Sequence, residues 1–365
     1  MRNLYLVRHG HVDFPGGIRR CIGWTDLPLD ERGQEQGREL GTYFQSLIQQ
    51  GAAVFASPLT RARETARLLA GDSLPVGVEE GLKELNMGEW ENVPMDQLKK
   101  TLESWPDTGE SREEGLVRIR KTVKRLLSQT TKDVICVAHG GINSCLLADI
   151  TGTPLKTSRG LPQPYGGFSR IRIREDGQMV AEEIGVMPQG APDDRECRRI
   201  WNHYSTPEPV RRHCEAVCRQ AEAIGERLVN SGRNVDLRII RSGALLHDVA
   251  RAEADHPRKG GDILLREGYP KVAEVIRYHH DLECPCFGEF DKTLPALWLE
   301  AAVVYLADKM VQGDRAVTLE RRFEDSRRRC AEAEDREEAL AAHERRYIQA
   351  KKIESLIRIE TDGGQ

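Results

Sequence analysis

The sequence predicts two domains: a three-layer α/β sandwich built on a mostly parallel sheet, followed by an all-α domain. With 365 residues, the chain exceeds the usual size of a single domain. Its first half alternates short apolar runs with helical patterns, which is typical of a parallel sheet covered by helices on both faces. After a turn-rich stretch at 187–193, only helical periodicity remains.

The first domain is predicted at 1–186 and the linker at 187–193. Strands are expected at 3–7, 53–56 and 134–138, and helices at 31–50, 61–69 and 113–127. Two further strand-like runs flank Asp176-Gly177, a dipeptide that favours a hairpin, so we expect them to close the sheet. The linker is rich in proline and glycine, which suits a connection between domains.

The second domain is predicted at 194–365. Its helices are expected at 210–228, 239–251, 259–267, 272–280 and 298–311. The remaining segment is rich in Arg, Glu and Ala and shows no sustained heptad repeat, so it favours a pair of solvated helices over a dimer contact. The sequence is therefore compatible with an oligomer but does not predict one.

Composition excludes several classes of function. Lys and Arg number 54 and Asp and Glu 58, so the formal charge of -4 gives no basic field for nucleic acid. No apolar run approaches the ~20 residues of a membrane helix, and the first residues show no signal-peptide pattern, so we expect a cytoplasmic protein. The nine cysteines show no framework spacing and are expected to be reduced. Cys284 and Cys286 are interpreted as loop thiols rather than a metal pair.

Basic and imidazole side chains follow three of the predicted strands. Arg8-His9 ends the first strand, Arg61 opens the helix after the second, and His139 ends the third. The ends of parallel strands meet at one sheet edge, so these residues should converge on one crevice. Guanidinium groups can hold a phosphoryl group while a neutral imidazole attacks phosphorus, which predicts covalent catalysis through a phosphohistidine.

Five ordered segments carry a resemblance to the histidine phosphatase superfamily, which includes cofactor-dependent phosphoglycerate mutases and α-ribazole phosphatases. They are Arg8-His9-Gly10, Gly23-Trp24-Thr25-Asp26-Leu27-Pro28-Leu29, the run from Ser57 to Ala66, the run from Leu82 to Glu91, and His139-Gly140. The resemblance implies that His9 is the nucleophile, that Arg8, Arg61 and His139 clamp the phosphoryl group, and that Glu84 donates the proton. It implies a small phosphorylated metabolite as substrate and no cofactor in this domain.

The chain departs from the family pattern at His11-Val12-Asp13, where many members carry threonine or serine and then asparagine. An extra cationic contact to substrate is expected from Arg20, with Arg19 as the alternative. Arg61 and His139 are 78 positions apart, fewer than in the mutases, which insert a segment that excludes water. An open site favours hydrolysis over mutase chemistry.

The helical half contains histidines and carboxylates on apolar helices, where an unpaired polar group is costly and a metal is the usual compensation. The ordered set is His213, His247-Asp248, His256, His279-His280 and Asp308. It resembles the HD superfamily of metal-dependent phosphohydrolases over about 194–350. The resemblance implies that His213, His247, Asp248 and Asp308 hold one ion, and that Asp248 bridges to a second held by His256, His279 and His280.

Two divalent ions, of Fe, Mn, Co or Zn, are therefore expected in the second domain, because nitrogen-rich ligand sets suit these metals better than Mg. Such a pair activates water and stabilises the charge of the transition state. Arg251 stands where relatives often carry a basic substrate-binding residue, and the expected substrate is a nucleotide-like phosphoester.

The favoured interpretation is a bifunctional phosphohydrolase, metal-independent in its first domain and metal-dependent in its second. The alternative is an α-ribazole-type phosphatase or a mutase whose HD domain senses nucleotide without catalysis. A protein that binds phosphorylated ligands without turnover is less favoured, since no proposed catalytic position is lost. Specificity is expected from loops at 89–109 and 284–295.

Overall fold

The computed structural model describes residues 2–71, 74–98, 104–282, 297–332 and 336–362. The chain divides into two compact units, one of residues 1–189 with 266–268 and one of residues 190–265 with 269–365. Cys284 and Cys286 lie outside the described residues, as do the whole loop at 284–295 and part of the loop at 89–109.

The first unit has the predicted α/β sandwich. Its elements are β1 (Arg2–Arg8), α1 (Glu31–Gln49), β2 (Ala53–Ala56), α2 (Thr60–Ala70), β3 (Gly77–Val78), α3 (Arg112–Gln129), β4 (Val134–Ala138), α4 (Gly140–Thr151), β5 (Phe168–Ile173) and β6 (Met179–Val186). The sheet order is β3-β2-β4-β1-β5-β6. The first four of these strands are parallel, and β5 and β6 join antiparallel at one edge, so the mostly parallel sheet is confirmed.

Alternating residues of β1 build the two cores on opposite faces of the sheet. Leu4 and Leu6 pack with the buried side chains of α3 and α4, and Tyr5 and Val7 pack with those of α1 and α2. Successive side chains of a strand point to opposite faces, so a strand buried on both sides has to be apolar throughout. The run Leu4-Tyr5-Leu6-Val7 meets that requirement, and all four residues are buried.

Strand register brings the candidate catalytic residues to one sheet edge. Arg8 pairs with Ala138, and Ala56 pairs with Val137, so β1, β2 and β4 end almost level. Helices α2 and α4 begin within a few residues of these ends. Their N-termini therefore add free backbone N–H groups and the positive end of the helix dipole to this edge.

The described residues of the second unit form helices and one short hairpin, joined by turns and loops. Its elements are α5 (Asp194–His203), α6 (Glu208–Asn230), α7 (Leu237–Leu246), α8 (His256–Arg266), α9 (Pro270–Arg277), α10 (Trp298–Lys309), β7 (Val311–Gln312), β8 (Arg315–Ala316), α11 (Leu319–Ala331) and α12 (Arg336–Asp362). The apolar side chains of α6 at Cys214, Val217, Ala221, Ile224 and Leu228 are buried. In the described part of the chain, no helix has the length and apolar character needed to cross a membrane.

Candidate active site and metal centre

His9 is buried at the carboxyl end of β1, and one of its ring nitrogens is hydrogen-bonded to the backbone. Its Nδ1 is 2.8 Å from the carbonyl oxygen of Gly10. A carbonyl oxygen only accepts, so Nδ1 carries the proton and Nε2 keeps its lone pair in the neutral ring. The side chain is only 2% exposed. Nε2 is thus the atom available to attack an electrophile.

Arg61 holds the guanidinium beside that nitrogen. Its Nε donates to His9 Nε2 at 3.2 Å, while its terminal nitrogens donate to the carbonyl oxygens of Thr25 at 2.8 Å and Gly23 at 2.7 Å. The side chain is fully buried. Two carbonyl acceptors fix the plane of the guanidinium, so a permanent positive charge stands next to His9 with little freedom to move.

Arg8 and His139 complete a cationic and imidazole cluster around His9. Arg8 stacks on the ring of Tyr165 at 3.6 Å and donates to the carbonyl oxygen of Gln163. His139 lies with its ring centroid 5.0 Å from that of His9, and its Nε2 is 2.8 Å from Ser57 Oγ. Within the described residues, Arg8 Nε and His139 Nδ1 are buried without a hydrogen-bond partner. Both nitrogens can therefore form a hydrogen bond with a ligand next to the nucleophile.

Glu84 is held at the N-terminus of α4. Its carboxylate accepts the N–H of Gly141 at 2.9 Å and that of Ile142 at 2.8 Å. Its charge acts on both Arg8 and Arg61, so it belongs to the same cluster. A Cβ added at Gly141 would lie 2.7 Å from Glu84 Oε1, so glycine leaves the space that the carboxyl group occupies.

Electrostatics keep both histidines neutral. Burial, followed by the charges of Arg61 and Arg8, holds the pKa of His9 well below its usual range. Burial and the charge of Arg61 do the same to the pKa of His139. Because only the neutral ring has a lone pair, the cations that would bind a phosphoryl group also keep the imidazole nucleophilic.

In the second unit, His213, His247 and Asp308 place one nitrogen or oxygen atom each within 4.8 Å of one another. His213 Nε2 is 3.1 Å from Asp308 Oδ1, and His247 Nε2 is 3.7 Å from the same oxygen. The Nδ1 atoms of His213 and His247 donate to the carbonyl oxygens of Gly313 and Ala244. Both rings therefore direct Nε2 toward the shared Asp308 oxygen, and Nε2 is the atom that each ring would offer to a metal.

His256, His279 and His280 form a second group, again with one ring nitrogen each within 4.8 Å. His279 Nδ1 donates to the carbonyl oxygen of Ile276 at 2.6 Å, which leaves its Nε2 free. His280 packs against the other two rings at centroid distances of 4.5 Å. Three imidazoles in one group suit a borderline metal ion better than Mg²⁺ or Ca²⁺.

Asp248 lies between the two groups. Its Oδ2 is 3.6 Å from His247 Nε2, and its Oδ1 is 3.2 Å from His256 Nε2 and 3.5 Å from His279 Nε2. One carboxylate oxygen thus faces each group. This is the geometry expected of a carboxylate that bridges two ions.

The residues fit a metal on their own chemistry. His247 Nε2 and His279 Nε2 are buried and have no hydrogen-bond partner among the described residues, although a buried ring nitrogen normally has one. Burial lowers the pKa of His247 to about 4, so its ring is neutral at pH 7 and can act as a ligand. Burial alone would raise the pKa of Asp308, but Lys309 and His213 outweigh it and hold the pKa well below its usual range.

Comparison with known proteins agrees with both constellations. A family model for the histidine phosphatase superfamily (branch 1) matches residues 4–183. Over 190 residues the chain is 30% identical to the "Probable phosphoglycerate mutase GpmB" of Enterobacter sp. (strain 638), which covers 48% of this chain and 86% of that protein. The chain belongs to the histidine phosphatase superfamily. It is a phosphoric ester hydrolase by this membership.

Other relatives and the second half of the chain extend this result. The "Uncharacterized phosphatase PhoE" of Bacillus subtilis (strain 168) is 31% identical over 158 residues, 42% of this chain and 79% of that protein. The structure of the α-ribazole phosphatase from Shigella flexneri is 26% identical, covers 51% of this chain and 96% of that chain, and superposes with a TM-score of 0.43. An HD domain model matches residues 210–311.

The arginines expected to bind substrate are placed differently in the two domains. In the histidine phosphatase domain, Arg20 donates to the carbonyl oxygen of Asn92 at 2.7 Å, whereas Arg19 is among the cations that lower the pKa of Arg8. Arg20 Nε is buried without a hydrogen-bond partner among the described residues, so Arg20 stays the prediction for the additional cation of this site, with Arg19 as the alternative. In the HD domain, Arg251 lies 3.4 Å from Asp248 and 3.1 Å from His256 Nε2, beside the predicted ligands.

Four residues of these sites were not predicted from the sequence as site residues. In the histidine phosphatase domain they are Tyr165, which supports Arg8, and Ser57, which contacts His139. In the HD domain they are Lys309, whose Nζ lies 2.7 Å from Asp308, and Gly313, whose carbonyl orients His213. Ser57 begins one of the quoted motifs and Lys309 directly follows the predicted ligand Asp308, so both could have been suspected. Tyr165 and Gly313 come from distant turns, and only the fold reveals them.

Proposed function

We propose that this protein is a bifunctional phosphohydrolase with two independent sites. The histidine phosphatase domain hydrolyses a phosphomonoester through a phosphohistidine without a metal. The HD domain hydrolyses a nucleotide-like phosphoester with bound divalent ions. The single observation that supports the first activity best is the hydrogen bond from His9 Nδ1 to the carbonyl oxygen of Gly10. This bond places the ring proton on Nδ1, so Nε2 has the lone pair and faces Arg61.

In the first site, His9 Nε2 attacks phosphorus and the bond from phosphorus to the ester oxygen breaks. The negative charge on the phosphoryl oxygens is stabilised by Arg8, by Arg61 and by the neutral His139 in the tautomer whose free Nδ1 carries the ring proton. The carboxylic acid form of Glu84 gives its proton to the departing alkoxide, and the resulting carboxylate then takes a proton from the water that attacks the phosphohistidine. Inorganic phosphate leaves, and His9 and Glu84 return to their starting protonation states.

In the second site, His213, His247 and Asp308 would hold one ion and His256, His279 and His280 the other, with Asp248 between them. Bound divalent ions supply Lewis acidity and an activated water. The chain contributes orientation: backbone carbonyls fix the rings of His213, His247 and His279, and Lys309 fixes Asp308. Arg251 is positioned to neutralise a phosphoryl oxygen.

The first activity is tested by trapping the covalent intermediate. The full chain is mixed with a ³²P-labelled phosphomonoester in EDTA and quenched in base, which preserves phosphohistidine. We expect labelled protein with the label on His9, and no label in His9→Ala. His203→Ala, which replaces an exposed histidine in α5, is the matched control and keeps the label. Labelling that persists in His9→Ala would remove the proposed mechanism.

The second activity is tested by metal content and hydrolysis of bis-p-nitrophenyl phosphate. We expect two ions per chain and Mn²⁺-dependent release of p-nitrophenol. Asp248→Ala should lower both, whereas Asp262→Ala, an exposed acid on α8 paired with Arg277, should change neither. Two bound ions without hydrolysis would favour the alternative of an HD domain that senses nucleotide. Absence of tightly bound metal would contradict the ligand assignment.

A further inference from the structure

A cavity of about 610 Å³ opens beside the predicted metal ligands in the second unit. His213, Asp248, His280 and Asp308 line it on the side of the metal centre. A volume of this size is that of a small-molecule site rather than of a single phosphate group. The proposed phosphoester thus has room for a substantial group beyond the phosphorus at the ions.

Much of the cavity wall comes from α11 and α12. Arg322, Phe323 and Ser326 of α11 and His343 and Arg346 of α12 line it. The HD domain model matches only residues 210–311, so both helices lie beyond the matched segment. What they add to the cavity therefore lies outside the matched HD domain.

The cavity is rich in positive charge. Arg251, Lys309, Arg322 and Arg346 line it, and Asp248 and Asp308 are its acidic groups among the described residues. Both acids belong to the predicted metal centre, where bound ions would neutralise them. Their neutralisation would leave a cationic chamber, which favours an anionic occupant.

Among the four cations of the cavity, Arg322 is the one for which no partner is observed in the described residues. Lys309 is bound to Asp308 and to the carbonyl oxygen of His279, and Arg251 and Arg346 lie near Asp248 and Asp281. Arg322 Nε is buried without a hydrogen-bond partner among the described residues, and no ion pair of its guanidinium is observed there. A buried guanidinium nitrogen in this state is costly unless a ligand satisfies it.

Other arginines of α11 show that the helix can pair its cations. Arg321 pairs with Asp325 at 3.4 Å, and Arg328 pairs with Glu324 at 3.2 Å, each across one helical turn. Arg322 points into the cavity instead. Its neighbour Phe323 is fixed by α12, because His343 Nε2 donates to the Phe323 carbonyl oxygen at 2.9 Å and the two rings lie 5.3 Å apart. The backbone that carries Arg322 is thus anchored.

We propose that Arg322 forms a second anion subsite of this cavity, and that the substrate class is a phosphoester carrying a second phosphoryl group. One phosphoryl group lies at the metal centre and the other accepts hydrogen bonds from the Arg322 guanidinium. This inference rests on the proposed metal-dependent activity and names its substrate class. A nucleoside diphosphate fits this subsite, whereas the monophosphate leaves Arg322 unsatisfied.

The test uses Cys330, which lines the same cavity and is a free thiol. The rate of Cys330 alkylation by iodoacetamide is followed by mass spectrometry in the Mn²⁺-loaded full chain, with ADP or AMP added at fixed free Mn²⁺. In the wild type, ADP should halve the rate at a concentration at least tenfold lower than AMP does. A charge-assisted hydrogen bond to the partly buried guanidinium of Arg322 supports a ratio of roughly this size.

Arg322→Gln should abolish the advantage of ADP over AMP, and Arg328→Gln on the exposed side of the same helix should preserve it. If the melting temperature of Arg322→Gln falls, Arg322→Lys serves instead and should retain part of the advantage. An ADP advantage that survives Arg322→Gln, or one that is absent in the wild type, overturns the subsite. Mn²⁺-dependent hydrolysis of bis-p-nitrophenyl phosphate is measured in the same samples. Its absence defeats the proposed function, and its presence without an ADP advantage defeats the subsite alone.

Discussion

At the scale of single residues, the same device orients histidines in both sites. Nδ1 of His9, His213, His247 and His279 donates to a backbone carbonyl oxygen, and in each case Nε2 is the atom left for chemistry. A hydrogen bond to one nitrogen selects the tautomer and fixes the ring plane. One site uses the free nitrogen as a nucleophile beside arginines, and the other would use it as a metal ligand beside carboxylates.

The low pKa of His9 predicts the pH dependence of the metal-independent activity. Protonation removes the lone pair, and the pKa lies well below 6.5, so kcat/KM should hold as the pH falls through 6.5 and decline only in more acidic solution. Arg61→Gln removes a positive neighbour, which raises the pKa of His9 and moves this decline to higher pH.

The measurement is the acid limb of kcat/KM for p-nitrophenyl phosphate in EDTA. Arg63→Gln, an exposed arginine on the same helix, is the control and should leave the limb in place. The amplitude of the activity will also fall in Arg61→Gln because a phosphoryl contact is lost, but the position of the limb is independent of amplitude. An unchanged limb in Arg61→Gln would contradict the electrostatic account of His9.

At the scale of elements, α4 shows how a helix start holds a side chain. Gly141 and Ile142 are in its first turn, where backbone N–H groups have no partner within the helix, and both donate to Glu84. A carboxylate at this position also interacts favourably with the helix dipole. The loop that carries Glu84 is thereby held at the edge of the sheet where β1 and β4 end.

Gly141→Ala should lower the activity of the first site without lowering the stability of the domain. The new methyl group would clash with Glu84 at 2.7 Å and displace the carboxyl group, so we expect kcat/KM of the metal-independent activity to fall at least tenfold. Alanine is favoured over glycine in a helix by up to ~1 kcal/mol, so the melting temperature should change little. Full activity in Gly141→Ala would show that the position of Glu84 is not needed.

Periodicity predicted much of the element order, and its misses have physical reasons. Helix α4 begins with Gly140-Gly141 and is apolar on every side, so it offered neither a start signal nor an amphipathic stripe. The hairpin of β7 and β8 has two residues in each strand, too few for an alternating pattern. His247 was expected inside a helix, but α7 ends at Leu246 and turns follow, with the ring of His247 bonded to the carbonyl oxygen of Ala244.

The sites were predictable where residue type carries the chemistry and not where the partner is backbone. Arg8, His9, Arg61 and His139 follow strand ends, and the strand register is sufficient to bring them to one edge. The carbonyl oxygens that orient these side chains belong to every residue alike, so no sequence pattern reveals them. Arg322 escaped notice for a related reason, since one arginine among many on a charged helix carries no distinguishing signal.

At the scale of the whole molecule, the two units have different sources of stability. The first has two apolar cores on either side of its sheet. The second encloses seven predicted ligands, among which Asp248 and two histidine Nε2 atoms are buried close together. A bound ion compensates such a cluster and stabilises only the folded state, so its removal should destabilise the second unit.

Chelation should therefore lower the melting temperature of the HD domain and leave that of the histidine phosphatase domain unchanged. Differential scanning calorimetry of the full chain with and without exhaustive metal removal measures this. The transition at which the metal-independent activity is lost on heating is assigned to the first domain. The transition at which Mn²⁺-dependent hydrolysis is lost is assigned to the second. Identical melting with and without metal would mean that the predicted ligands hold no structurally important ion.

The most direct test of two independent sites is a crossed measurement of both activities in one set of full-length variants. p-Nitrophenyl phosphate is assayed in EDTA and bis-p-nitrophenyl phosphate in Mn²⁺. We expect His9→Ala to lose the first activity and keep the second, and Asp248→Ala to lose the second and keep the first. Loss of both activities in either single variant, with its fold intact, would contradict the account.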